Sequence, residues 1–224
     1  MPESERSYKP DKYSMDRVTI EALTNEHVDS KRLGLKTPFE LQGRGESDIE
    51  NKSITVRFPK GDIFLSYITT IHELGHPRQE ELDEKLAASD KQPGPNVLAE
   101  EDAWDRGWDR FSKTNASRIR ELESKFQVFK NSDALRDFAS LKDLYNWVRD
   151  NSLNFVRVQR EYFKKTGQEI GTLEGKDAKG LVDELKVAGW EDFVEKYESS
   201  RVGEMVNEEQ IRIDIEKVIR QVIK

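Results

Sequence analysis

The chain has no cysteine. That excludes disulfides, thiol nucleophiles and thiolate metal sites, and it leaves any bound metal to His, Asp and Glu. Histidine is scarce too, with three in 224 residues. No apolar run approaches the roughly 20 residues that a membrane-spanning helix needs. The longest apolar-leaning stretch runs from about Ile63 to Ile71. The first residues, MPESERSYKPDKYSMD, are charged and lack the apolar segment of a secretion signal, so a cytoplasmic protein is expected. Positive charge is outweighed, with 37 Lys and Arg against 44 Asp and Glu and a net charge of −7. Phosphate contacts need clustered Lys and Arg, so neither nucleic acid nor a membrane is an expected partner.

What is present suits a soluble, helix-rich protein with a heavily charged surface. Charged residues make up 36% of the chain, yet ten Phe, six Tyr and four Trp are enough to build a core. Residues 1–15 read as a flexible arm, 16–115 as one domain that holds the strand-like segments, and 116–224 as a helical C-terminal region. A short helix or strand is expected from Asp16, followed by a turn-rich stretch with Gly34 and Pro38. LQGRGESDIENKS reads as a polar loop. SITVRFP alternates Ile54, Val56 and Phe58 against Thr55 and Arg57, the period of a half-buried strand.

Asp62 is placed to cap a helix, IFLSYITTIHELGH, that is apolar on more than one side and therefore deeply buried. Pro77 should stop or kink it at His76. Charged RQEELDEKLAAS suggests another helix. Asn96 is placed to cap a helix from Val97 to about Lys113 or beyond. The remainder has helical spacing throughout: SDALRDFASLKDLYNWVRD, then NSLNFVRVQREYFKKTG with Gly167 as its C-cap, then two short helices hinged at Gly189. A last helix carries Ile211, Ile215, Val218, Ile219 and Val222 on one face. That stripe reads as core, or, if exposed, as a surface for homo-oligomerisation.

Residues 69–79, TTIHELGHPRQ, carry His72, Glu73 and His76 as H-E-x-x-H. Residues four apart lie one turn apart on the same helix face, so both imidazoles can reach one tetrahedral Zn2+. Glu73 lies beside them, within reach of a water at that ion. The bland alternative is a helix that happens to hold two histidines. In a chain with so few histidines that coincidence is rare, and bare imidazoles in a buried helix need partners.

The third ligand must come from elsewhere. His27 is the only other histidine, and none follows His76. NVLAEEDAWDRGWDRF offers Glu100 and Glu101. At about 100° per residue, Val97, Ala103, Trp104, Gly107, Trp108 and Phe111 form one apolar stripe. Glu100 falls in the middle of that stripe and Glu101 near its edge. A carboxylate on a buried face needs a partner, so Glu100 is the expected ligand and Glu101 the alternative. In the plainer reading both face solvent.

His72-Glu73-x-x-His76 with the downstream Glu100-x-x-Ala103 resembles the gluzincin zinc metallopeptidases, and most nearly the small cytoplasmic ImmA/IrrE-like members. The resemblance covers roughly residues 54–111. It implies an α+β fold, a zincin-like core with a small sheet and an active-site helix, followed by a mostly α-helical C-terminal half. It implies His72, His76 and Glu100 as zinc ligands and Glu73 as general base, with hydrolysis of an extended peptide or protein substrate. It also implies that SITVRFP forms the sheet edge on which the peptide lies. Three features depart from the pattern. Pro77 follows the second His directly, Trp104 stands where many gluzincins carry a ligand-supporting Asp, and no later His can stabilise an oxyanion. Tyr145, Tyr162 or Arg106 would have to take that last role. The alternative function is a zincin-like regulatory or binding protein with little turnover. A purely structural zinc is a third reading.

Overall fold

The computed structural model describes residues 17–23, 44–48, 53–59, 63–77, 79, 85–86, 93–132, 134–167, 196 and 207–222, with the strands described by backbone alone. The expected arm at 1–15, the cap Asp62, the helices hinged at Gly189, His27, the turns around Gly34 and Pro38, and most of RQEELDEKLAAS lie outside these residues.

Three short strands come first, β1 (Arg17–Leu23), β2 (Arg44–Asp48) and β3 (Ser53–Pro59). Their order is β1-β3-β2. Val18 aligns with Ile54 in the parallel pair, and Glu46 with Thr55 in the antiparallel one. Two sequence readings are corrected here. SITVRFP is the central strand, not an edge, so both sides of its backbone are already paired. Arg44–Asp48, read as loop, is a strand. Its polar residues carry no alternation, and its pairing is set by the backbone of β3.

The helices follow: α1 (Ile63–Glu73), α2 (Val97–Thr114), α3 (Ala116–Phe129), α4 (Leu141–Thr166) and α5 (Glu208–Val222). The fold class read from the sequence, α+β with a zincin-like core around a small sheet, is corrected. Among residues whose side chains are described, 81% are helical and none lies in a strand. The interior there is helix packed on helix. The physical reason lies in the supply of apolar faces. Helical spacing on α2 to α5, plus an α1 that is buried all round, fills one core from Ile63 to Ile219. That core joins residues on both sides of position 115.

Helix boundaries follow local chemistry. Asn96 Oδ1 accepts from the Ala99 amide at 3.2 Å and starts α2. Asn115 interrupts what the sequence allowed to be a single helix. Its backbone is non-helical, its amide bonds Phe111 O, and its side chain donates to Asp214 O of α5. Ser140 caps α4, which runs unbroken through two segments read as separate helices, because no Gly or Pro intervenes. Gly167 ends it with φ 69°, the left-handed cap expected from sequence. The Ile and Val stripe of α5 is buried in the chain's own core. No helix among the described residues is long and apolar enough to cross a membrane.

Candidate metal centre

Every residue of α1 is buried. The helix stops at Glu73, three residues before the sequence reading. Beyond it the Gly75 amide bonds His72 O at 2.8 Å and the His76 amide bonds Glu73 O at 3.3 Å, the tighter three-residue spacing. Pro77 explains the early stop, since it disfavours helical geometry at His76 and offers no amide to continue the ladder. The freed carbonyls are not left bare. Arg110 of α2 donates to Leu74 O at 2.8 Å and to Gly75 O at 3.1 Å.

The same region is the crossing point of α1 and α2. A Cβ on Gly107 would sit 2.0 Å from Ile71 O, and one on Gly75 only 1.8 Å from Ala103 O. Glycine at both positions is what lets the two backbones touch. This close approach delivers Glu100, in the first turn of α2, to the end of α1.

The donor atoms converge. His72 Nε2 lies 3.4 Å from His76 Nε2 and 3.2 Å from Glu100 Oε2, and His76 Nε2 lies 4.0 Å from the same oxygen. Ligands about 2.0–2.1 Å from a tetrahedral zinc are separated from one another by roughly 3.3 Å. Two of the three separations match that spacing, and the His76–Glu100 separation is wider. Glu73 is adjacent, its Oε1 3.8 Å from His72 Nε2. Donor atoms of His72, Glu73 and His76 also lie within 4.8 Å of one another. Exposure is uneven. The His72 and Glu73 side chains are 9% and 8% exposed, those of His76 and Glu100 22% and 29%. The cluster opens to solvent on the His76–Glu100 side.

Burial pushes the Glu100 carboxyl up, but the hydrogen bond from His72 and the charges of His72 and His76 outweigh it and hold it at about 2. The first-turn position favours the same ionised form. Glu101 is placed elsewhere, facing Arg149 at 4.0 Å and Arg157 at 3.9 Å. The one-residue phase difference read from the sequence separates the two carboxylates as expected.

The two histidines have different surroundings. His72 stacks on Trp104, with centroids 4.3 Å apart and planes at 25°, and its buried Nδ1 has no hydrogen-bond partner among the described residues. His76 Nδ1 lies 2.9 Å from Gln79 Oε1. Gln79 Nε2 donates to Ala99 O and to Asp102 Oδ2, both at 2.8 Å. Arg106 holds Asp102 with two bonds of 2.8 and 2.6 Å. Burial raises the Asp102 carboxyl, and the bonds from Arg106 and Gln79 more than reverse it, leaving it below its ordinary range.

Sequence reading missed Gln79, Asp102 and Arg110. The only local signal was Gln79 standing three residues after His76. Of the three candidate oxyanion donors, Tyr145 is buried with its hydroxyl donating to Trp104 O, and Arg106 is bound to Asp102. Tyr162 lies in the last turns of α4. Comparison with protein-family models, with curated proteins and with solved structures finds no match for this chain.

Proposed function

We propose that the chain is a zinc-dependent peptidase, with His72, His76 and Glu100 as ligands and Glu73 as general base. The observation that carries this reading is the convergence of three donor atoms, from α1, the turn that follows it and α2, with two of their three separations at the spacing of ligands on one tetrahedral ion. It is supported by the buried carboxylate of Glu73 beside them and by the solvent opening on one side. A catalytic zinc keeps one position open, whereas a structural site is closed by four protein ligands.

Zinc, when bound, would lower the pKa of a water towards about 7 and polarise the scissile carbonyl. The protein's part follows from its own residues. Glu73, held in a buried helix, accepts the proton of the attacking water on its carboxylate and returns it to the leaving amine. Trp104, buried and stacked on His72, covers one face of that imidazole. Glu100 contributes the negative charge that balances the ion.

Protein purified without added metal should carry about one zinc per chain by elemental analysis. Glu73→Gln should keep that zinc and lose roughly 10²–10⁴-fold in cleavage of an unfolded protein substrate. Unchanged cleavage in a zinc-loaded Glu73→Gln protein would remove Glu73 from the mechanism. A second reading is a zinc-binding regulatory protein with little turnover. It is favoured by His72 Nδ1, which among the described residues has no acceptor of the kind that usually raises the basicity of a ligating imidazole. Zinc-loaded protein inert towards varied unfolded substrates would select it.

A further inference from the structure

Gln79 sits outside the ligand set, yet its hydrogen bonds decide how one ligand is presented. Its side chain is buried, with every polar atom engaged. The amide nitrogen faces Ala99 O and Asp102 Oδ2, and a backbone carbonyl can only accept. Reversing the amide would set two oxygens against each other at 2.8 Å. The orientation is therefore fixed by Ala99 and Asp102, and the amide oxygen must face His76 Nδ1. An amide oxygen also only accepts, so His76 Nδ1 must be the donor. A neutral imidazole with its proton on Nδ1 has a bare lone pair on Nε2. That Nε2 is the atom pointing at His72 Nε2 and Glu100 Oε2.

We infer that Gln79, oriented by Ala99 O and the Arg106-bound Asp102, is a positioning residue that locks His76 in the Nδ1–H tautomer and so prepares its Nε2 to bind the metal. The inference rests on the zinc reading above for its purpose, but the tautomer itself does not. His72 makes the contrast. It stacks on Trp104, and no described residue offers its Nδ1 an acceptor, so its tautomer is not fixed in the same way. The hydrogen bonds around Gln79 thus orient one of the two imidazoles and leave the other unfixed.

The test uses metal-free full-length protein labelled with nitrogen-15, at about pH 8, above the ordinary imidazole range. Long-range proton–nitrogen correlation spectra should show His76 as the Nδ1–H tautomer. Gln79→Met, which keeps the length and removes the acceptor, should give a mixture of tautomers at His76. Zinc titration of the same variant should show affinity weakened about 10- to 100-fold, the usual loss when a ligand's supporting hydrogen bond is removed. Should Gln79→Met fail to fold, Asp102→Asn probes the same relay from its outer end and should weaken zinc binding in the same direction. An Nε2–H tautomer in the wild type, or an unchanged tautomer with unchanged affinity in Gln79→Met, would overturn the inference. Absence of zinc uptake by the wild type would instead overturn the peptidase reading and the purpose given to Gln79, with the tautomer result still recorded.

Discussion

The 3.2 Å contact between His72 and Glu100 gives the isolated site a pH dependence of definite sign. The Glu100 carboxyl is held at about 2 in the folded chain, below the roughly 4.3 of an unperturbed glutamate. The unfolded chain therefore binds the proton first as pH falls. Stability from the ionised form is fully present above the unfolded value and is lost as pH drops from about 4.3 towards 2. Metal-free Glu100→Gln should accordingly begin acid unfolding at higher pH than the wild type, as followed by far-ultraviolet circular dichroism. Glu101→Gln, whose carboxylate faces Arg149 and Arg157 on a more exposed surface, should leave that transition nearly in place. Much of this was legible beforehand. The H-E-x-x-H spacing and the helical phase of Glu100 need only the period of a helix. Gln79, Trp104 and Asp102 were not legible, because their contacts with His72, His76 and Gln79 arise where the chain leaves α1 and meets α2.

At the scale of elements, the candidate metal centre is a property of one helix crossing. The glycine pair Gly75 and Gly107 sets the separation of α1 and α2, and Arg110 seals the end of α1. Gly107→Ala places a methyl 2.0 Å from Ile71 O, and the obstacle is backbone, which cannot swing aside as a side chain can. The two helices must part. We expect a loss of about 1–3 kcal/mol, the usual cost of overpacking a well-filled interior, measured by urea denaturation. Zinc affinity should fall in the same variant, because Glu100 rides on α2 and His72 on α1. An Ala at Gly167, beyond the end of α4, meets no atom within 4 Å but keeps a φ of 69°, so it should cost stability without touching zinc affinity. The sequence showed both glycines on a helical pattern, yet nothing local distinguishes a glycine that permits a crossing from one that is merely tolerated.

At the scale of the whole molecule, α5 is tied to the site-bearing helix through a buried carboxylate. Asp214 is 1% exposed. It accepts from Tyr67 of α1 at 3.0 Å, from Arg118 of α3 at 2.8 Å and from Gln210 of its own helix at 3.1 Å. Burial, with the Asp214 charge behind it, pushes the Tyr67 hydroxyl up, so it remains a donor. Asp214→Ala leaves the Arg118 guanidinium and the Tyr67 hydroxyl without their shared acceptor. Arg118 keeps its ion pair with Glu121, so the loss is mainly that of buried hydrogen bonds, about 1–3 kcal/mol, and thermal unfolding should show a loss of that order. The sequence by itself determined the helical character of α1, α2, α4 and α5, the caps at Asn96 and Gly167, the buried character of α1 and of most of the α5 stripe, and the pairing of His72, Glu73 and His76 in one short segment. Those follow from periodicity and side-chain type, which act over a few residues. Only the tertiary structure decided that the described interior is helical, that SITVRFP is a central strand, that α1 ends before His76, and that Gln79 and Trp104 flank the two histidines. Each of these depends on what packs across the chain, between residues whose spacing in sequence carries no record of their meeting.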